Sequence, residues 1–260
     1  MTSLNVCVAG ITGWTGGAVA EAVAAADDLT LRSGVSRAAA GSQAHGAPVY
    51  ASVDEALDGV DVLVEYTSHE TAKANALAAI ERGVAVVIGS SGLTADDFGE
   101  LGAVAAARGV GVIAAGNFSV TAAMAKAAAQ LAARYLASWE IIDYADAEKA
   151  DAPSGTAREL AEALGASTRA RSLEDTHGAV EARGADIAGT QVHSLRLPGF
   201  TVSTEIVFAA TDERLSIRHD AGSSAAPYVA GTLLAIRAVR NRIGLTRGLD
   251  ALLLEAPADG

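Results

Sequence analysis

Three glycines, Gly10, Gly13 and Gly16, lie in the string Val8-Ala9-Gly10-Ile11-Thr12-Gly13-Trp14-Thr15-Gly16-Gly17, directly after an apolar run. Glycines spaced this way let the backbone turn tightly and come close to a bound group. A helix opening just after them points N–H donors and the positive end of its dipole at that group. A pyrophosphate suits such a cradle, so Gly10, Thr12, Gly13, Trp14 and Thr15 are candidate dinucleotide contacts. The plainer alternative is an ordinary tight turn between strand and helix. Further on, Gly34-Val35-Ser36-Arg37 ends the next β-branched run. An acidic residue there would take the ribose hydroxyl of NAD. Ser36 carries no charge and Arg37 can pair with a 2′-phosphate, which favours NADPH, with NADH the alternative. Arg37 as a solvated surface residue is the bland reading.

Two more turns follow apolar runs: Gly89-Ser90-Ser91-Gly92 after Val84–Ile88, and Ala115-Gly116-Asn117-Phe118-Ser119 after Val110–Ala114. In an open α/β sheet, ligands lie beyond the carboxyl ends of the strands. Gly89, Ser91, Gly116 and Phe118 thus fall where a nicotinamide ring would sit, with hydroxyls for its carboxamide and an aromatic face for the ring. A third string, Lys149-Ala150-Asp151-Ala152-Pro153-Ser154-Gly155-Thr156-Ala157, offers anion chemistry. Proline is tolerated at a helix start. Ser154, Gly155 and Thr156 can present N–H groups and hydroxyls at the positive helix end, and Lys149 adds an ammonium. That is a carboxylate site, with Asn117 a further candidate substrate contact.

The elements that must position these residues alternate in the first half. The pattern predicts strands over Leu4–Ala9, Leu29–Val35, Val60–Tyr66, Val84–Ile88 and Val110–Ala114. Helices are expected over Gly17–Ala26, Thr71–Arg82 (stopped by Gly83) and from a Thr94/Asp97 capping box to Gly109. Such alternation predicts an α/β fold with a doubly wound, parallel, Rossmann-like sheet. After about residue 120 the pattern changes. A helix is expected over Val120–Leu136, a strand over Trp139–Tyr144, and a helix over Ser154–Leu164 ended by Gly165. Strands over Thr190–Leu197, Phe200–Ala209 and Leu215–His219 follow without helices between them. They predict a second, α+β domain with a mixed or antiparallel sheet. A helix over Ala225–Arg240 follows, and Ala166–Gly184 reads as a surface loop. The expected organisation is a dinucleotide-binding domain from 1–119 with 225–260, and a substrate-binding and oligomerisation domain from 120–224.

Composition narrows the function classes. The 260 residues carry a formal net charge of −12, a poor match for phosphate backbones or anionic lipid, so neither nucleic acid nor membrane is an expected partner. The single cysteine, Cys7, excludes an internal disulfide, and the five histidines lack metal-ligand spacing, so no metal is expected. Half the residues are hydrophobic, which suffices for a sizeable core. No apolar run reaches the ~18 residues of a membrane span and the start lacks a secretory pattern, so a cytoplasmic location is the default.

The string Lys149–Ala157 resembles the signature of the dihydrodipicolinate reductases, NAD(P)H enzymes of the diaminopimelate/lysine pathway. The resemblance runs through the Gly10–Gly16 loop, Glu65-Tyr66-Thr67, Gly89–Gly92, Asn117-Phe118-Ser119, Arg183-Gly184-Ala185-Asp186, Val192–Gly199 and Ile217-Arg218-His219-Asp220. It implies Tyr66 and Thr67 as further cofactor contacts, and Lys149 with the Ser154-Gly155-Thr156 turn as the holders of substrate carboxylates. It also implies a homo-oligomer, tetramer or dimer. The chain departs from the family pattern E-x-H-H-x-H-K before this turn, reading Asp143-Tyr144-Ala145-Asp146-Ala147-Glu148-Lys149. A further family histidine falls at Ser203. Two carboxylates near a dicarboxylate are repulsive, by about 3–4 kcal/mol per pair at ~4–6 Å and an effective dielectric near 20, before screening. The same groups would stabilise a protonated iminium, which needs no histidine acid. The expectation is an NAD(P)H-dependent reductase of a C=N bond in a cyclic imine or iminium, with Lys149, Asp146 and Tyr144 as candidate catalytic groups. An authentic 4-hydroxy-tetrahydrodipicolinate reductase and an inactive NADPH-binding sensor are the alternatives.

Overall fold

The computed structural model describes residues 3–167 and 177–254. The chain up to Val120, joined by the chain from Ala225 on, forms one compact unit; Thr121–Ser224 forms the other.

The first unit opens with β1 (Leu4–Ala9), α1 (Trp14–Ala25), β2 (Leu29–Val35), a short antiparallel hairpin of β3 (Gln43–Ala44) and β4 (Ala47–Tyr50), and α2 (Val53–Ala56). It continues through β5 (Val62–Glu65), α3 (His69–Glu81), β6 (Ala85–Ile88), α4 (Ala95–Arg108) and β7 (Gly111–Ala114). Helix α4 forms as its ends dictate. Thr94 and Asp97 make a reciprocal capping box, and Gly109 takes the left-handed conformation that closes it. Helix α1 begins three residues before the expected Gly17, so Trp14, Thr15 and Gly16 form its first turn.

The second unit carries α5 (Val120–Ala133), β8 (Ser138–Ala145), α6 (Gly155–Ser167), β9 (Ala185–Ile187), β10 (Thr190–Arg196), β11 (Val202–Ala210) and β12 (Glu213–Ala221). Its sheet runs β12-β11-β8-β10-β9 and is mixed: β10 lies parallel to β8, and the other pairs are antiparallel. The strand that follows α6 is β9, antiparallel to β10, and the turn from β9 into β10 sets β10 parallel to β8. Gly165 does not end α6. A Cβ there would lie 2.0 Å from the Ala188 carbonyl oxygen, so the glycine permits close packing and the helix continues. Of the loop expected over 166–184, residues 168–176 lie outside the described residues, and a 3-10 turn occupies Val180–Arg183. The core joins Trp139, Ile141, Leu160, Leu164, Ile206 and Phe208.

From Ala225 the chain completes the first unit with α7 (Ala226–Val239), β13 (Gly244–Arg247) and α8 (Asp250–Leu254). The sheet order is β13-β7-β6-β5-β1-β2-β4-β3, parallel except at the β3 edge. Strands β5, β6 and β7 are buried throughout, as expected when both faces are covered. The strand order reverses between β1 and β5. Ala9 pairs with Val35 and Glu65, Glu65 with Ile88, Ile88 with Ala114, and Ala114 with Arg247. The loops starting at Ser36, Gly10, Tyr66, Gly89, Ala115 and Gly248 therefore leave one edge of the sheet side by side.

Candidate active site

The glycine loop sits at the switch point, where open α/β sheets hold ligands. Gly10 has φ +83, and a Cβ there would lie 2.4 Å from the Tyr66 carbonyl oxygen. A Cβ on Gly16 would lie 2.2 Å from the Gly10 carbonyl oxygen. Both positions therefore require glycine, and the loop hugs the neighbouring β5 turn. Gly13 caps α1 without any side-chain hydrogen bond, which leaves the first-turn amides to an outside acceptor. Trp14, 58% exposed, stands on that first turn with its ring edge-on to Tyr228 at 5.9 Å. The Thr12 and Ser36 hydroxyls meet at 2.9 Å and tie the loop to the end of β2. Arg37 is exposed at the start of a short 3-10 turn, with no ion-pair partner among the described residues.

The next loops are organised from beneath. Tyr66 hydrogen bonds Thr232 at 2.8 Å, and burial raises its phenol well above the usual range. Its ring fills the space over Gly89, where a Cβ would come within 2.2 Å of it. Phe118 is 1% exposed and packs edge-on against Tyr66, so its ring belongs to the core and does not present a face beyond the strand ends. Gly116 and Ser91 are exposed, while Asn117 turns its amide oxygen back to the Ser119 N–H at 2.8 Å. Glu65, at 0% exposure, accepts from the Thr67 N–H at 2.6 Å, the Thr67 hydroxyl, the Ser90 hydroxyl at 3.2 Å and the Asn75 amide at 2.8 Å. Burial raises its carboxyl above the ordinary range, against the pull of those donors.

In the second unit the turn opening α6 is clamped by Asp143. This residue is 0% exposed and accepts from the Ser154 N–H at 2.9 Å, the Ser154 hydroxyl at 2.7 Å, Ser194 at 3.2 Å and the Arg196 guanidinium at 2.9 Å. Arg196 also donates to the Asp151 carbonyl at 2.6 Å, tying the preceding loop to the same carboxylate. The Ser154 hydroxyl in turn accepts from the Ala157 N–H, so it serves as an N-cap. Both donors of Ser154 are thus spent inward, and the half-buried Gly155 and Thr156 are what the helix end presents. Lys149 pairs with Asp151 at 2.6 Å, and the Asp146 carboxylate accepts from the Glu148 N–H at 3.0 Å.

Tyr144 stands apart from this cluster. Burial alternates along β8, with Trp139, Ile141, Asp143 and Ala145 inward and Tyr144 on the other face. There its hydroxyl donates to Glu205 at 3.1 Å, its ring lies under Arg218 at 5.0 Å, and Phe200 packs beside it. Desolvation, then the Glu205 carboxylate, raise its phenol above the ordinary value, which makes it a poorer acid. Ser203 is its cross-strand neighbour. The sequence reading missed Asp143, Arg196 and Tyr228, and quoted Glu65 without a role. A signal existed for Asp143: a carboxylate at an inward position of an alternating strand.

Comparison with known proteins decides the family. Residues 4–118 match the model of the dihydrodipicolinate reductase N-terminus and residues 117–253 that of its C-terminus. The chain belongs to the dihydrodipicolinate reductase family. It is 37% identical over 264 residues to a 4-hydroxy-tetrahydrodipicolinate reductase of Nocardia farcinica, covering 96% of this chain and 99% of that one. The same enzyme of Moorella thermoacetica is 36% identical over 268 residues, covering 97% and 99%. A dipicolinate-bound dihydrodipicolinate reductase from Paenisporosarcina shares the fold, with a TM-score of 0.77 at 24% identity, over 96% of this chain and 99% of that one. Dihydrodipicolinate reductases are NAD(P)H-dependent oxidoreductases acting on CH–NH or C=N groups, and the chain is an enzyme of this kind. No helix among the described residues is long and apolar enough to cross a membrane.

Proposed function

We propose that the chain reduces the C=N bond of a cyclic imine or iminium other than the usual dicarboxylate, with NADPH as hydride donor. One observation carries the substrate reading: the charge of the loop before α6. The ammonium of Lys149 is already paired with Asp151, and Asp146 and Glu148 stand where the family pattern has histidines. Across Asp146, Glu148, Lys149 and Asp151 the formal sum is three negative charges against one positive, a poor reception for two carboxylates.

The cofactor assignment rests on fit. Positions 10 and 16 exclude any Cβ, the first turn of α1 has no side-chain cap, and no carboxylate stands at Ser36 to select a ribose hydroxyl. Gly10, Thr12, Gly13, Trp14 and Thr15 would hold the pyrophosphate, and Ser36 with Arg37 the 2′-phosphate. Tyr66, Thr67, Gly89, Ser91, Gly116 and Phe118 would frame the nicotinamide, Phe118 through its backbone. When bound, the reduced nicotinamide supplies the hydride. Residues 1–119 with 225–260 take the nucleotide; residues 120–224 take the substrate and the oligomer contacts, in a tetramer or dimer.

Gly155 and Thr156, at the positive end of α6, receive a single carboxylate. Lys149, held by Asp151, contributes to the same anion, and Asn117 is a further candidate substrate contact on the first unit. Asp146 and Glu148 stabilise a positively charged nitrogen. An iminium arrives with its proton, so hydride addition at carbon yields the amine without a histidine acid. The full-length likeness to 4-hydroxy-tetrahydrodipicolinate reductases favours a second reading, that of an authentic enzyme of lysine biosynthesis. Complementation of a bacterial strain lacking that reductase separates the two. The imine reading predicts no growth without added diaminopimelate and lysine; growth at the wild-type rate contradicts it. Turnover of any imine excludes an inactive sensor.

A further inference from the structure

Glu65 is a buried carboxylate that the chemistry above leaves unused. It ends β5 at the switch point, its Cα paired with those of Ala9 on β1 and Ile88 on β6, immediately before the loops that carry Tyr66, Gly10 and Gly89. Among the described residues no Lys, Arg or His pairs with it. Its hydrogen bonds come instead from neutral donors on three segments: Thr67 by backbone and hydroxyl, Ser90 by hydroxyl, and Asn75 by side-chain amide. The Thr67 N–H and the Asn75 amide can only donate, and they claim one carboxylate oxygen each. This shell suits an ionised carboxylate. A lone charge held this deep is expensive unless it serves some charge elsewhere. The short side chains at Gly10, Thr67, Gly89 and Ser90 put no cation above it.

The reduced nicotinamide ring is neutral and the oxidised ring carries one positive charge. A fixed negative charge below the strand ends therefore favours the oxidised form. In a poorly solvated site that field costs no reorganisation when the hydride leaves. We propose that Glu65 acts as a fixed counter-charge to the nicotinamide ring, stabilising the oxidised cofactor and so driving hydride toward the substrate. This rests on the nucleotide reading above. It also separates two roles, because ordering Thr67 and Ser90 would help both cofactor forms alike, whereas the charge helps only one.

The test is equilibrium binding, with no substrate present. Kd is measured for NADP+ and for NADPH with the wild-type chain, Glu65→Gln and Glu65→Asp, alongside a thermal melt of each. Phosphates and adenine are common to both forms and cancel in the ratio. Glu65→Gln is expected to weaken NADP+ about tenfold more than NADPH, a change of roughly one decade in the ratio, and Glu65→Asp to leave the ratio near the wild-type value. Equal weakening of both forms by Glu65→Gln overturns the proposal and leaves a structural role only. If Glu65→Gln does not fold, the ratio is followed as pH falls from 8 to 4, below the ordinary carboxyl range, in a chain with His45, beside Gly17, and His69 of α3 both replaced by Asn. Cys7 on β1, pushed up to about 12 chiefly by burial, and Tyr66, pushed higher, stay neutral throughout. Preference for NADP+ should then decline as Glu65 takes up a proton; a constant ratio overturns the proposal. Failure of the wild-type chain to bind either form overturns the nucleotide reading itself, and the inference with it.

Discussion

The strand ends of the first unit and the loop before α6 in the second are both proposed here as sites for anions, yet they are built by opposite means. The first is made of backbone. Six strand ends in register set six loops side by side; the missing Cβ at Gly10 lets two of them touch, and that at Gly16 lets α1 close onto Gly10. The loop before α6 is made of side-chain charges. Asp143 and Arg196 pin it from below, Lys149 is spent on Asp151, and Asp146 supports the Glu148 backbone. A backbone site is hard to alter without losing the fold. A side-chain site can change its ligand through a few substitutions, and the departures expected from the family pattern, at Asp146 and Glu148, fall on the second kind.

The sharpest way to break that contrast is at Gly16. A Cβ 2.2 Å from a backbone oxygen has nowhere to go, so Gly16→Val should abolish NADPH binding, by about a hundredfold or more, and lower the melting temperature; calorimetric titration and circular dichroism read both. Next comes the clamp. Asp143→Ala leaves Arg196, 16% exposed in its side chain, without its carboxylate, and should cost about 3–5 kcal/mol in urea unfolding, the range for breaking a buried pair. Leu or Met at both Asp143 and Arg196 should recover part of the stability but not substrate affinity, since the Ser154 turn stays untied. Arg37→Ala should weaken NADPH by roughly ten- to a hundredfold, about 1.5–3 kcal/mol, and leave NADH unchanged, narrowing the gap between the two cofactors. Asp146→Asn with Glu148→Gln should lower kcat/KM for a cyclic iminium and improve binding of dipicolinate, each by about tenfold given the exposure of the loop.

The smallest effect lies outside both sites. Asp97 in the α4 capping box is held below the ordinary carboxylate range, first by Lys73 and then by Thr94. A depressed carboxyl stabilises the fold above its unfolded pKa and loses that contribution as pH falls through the folded one. Helix α4 should therefore weaken only below about pH 4, and Asp97→Asn should flatten that part of the acid melting curve.

Much of the strand-end site could be read from the sequence because its determinants are local. A glycine spacing, a capping box and buried β-branched runs each act over a few residues. What escaped notice was short or depended on pairing across the chain. Strands β3, β9 and β13 span 2–4 residues, too few to show a period. The glycine at 165 reads as a helix stop, yet it serves contact with Ala188, which no local pattern reveals. Phe118 reads as a ring for the cofactor because its turn leaves a strand end, but its χ direction is set by the Tyr66 ring and the core. Tyr144 and Asp143 are adjacent in sequence, and the alternation of β8 sends Tyr144 to the opposite face, with Glu205 and Arg218. Ser154 reads as a ligand donor, and Asp143, eleven residues earlier, turns it into a cap.

The substrate claim is tested most directly by NADPH oxidation, followed as loss of near-ultraviolet absorbance. The wild-type chain is offered freshly generated 4-hydroxy-tetrahydrodipicolinate in one series and a panel of monocarboxylate and uncharged cyclic imines in another. The account predicts turnover at ordinary enzymatic rates, ~1–1000 per second, with imines alone. Comparable turnover of the dicarboxylate would show that Asp146 and Glu148 do not repel it, and would contradict the account.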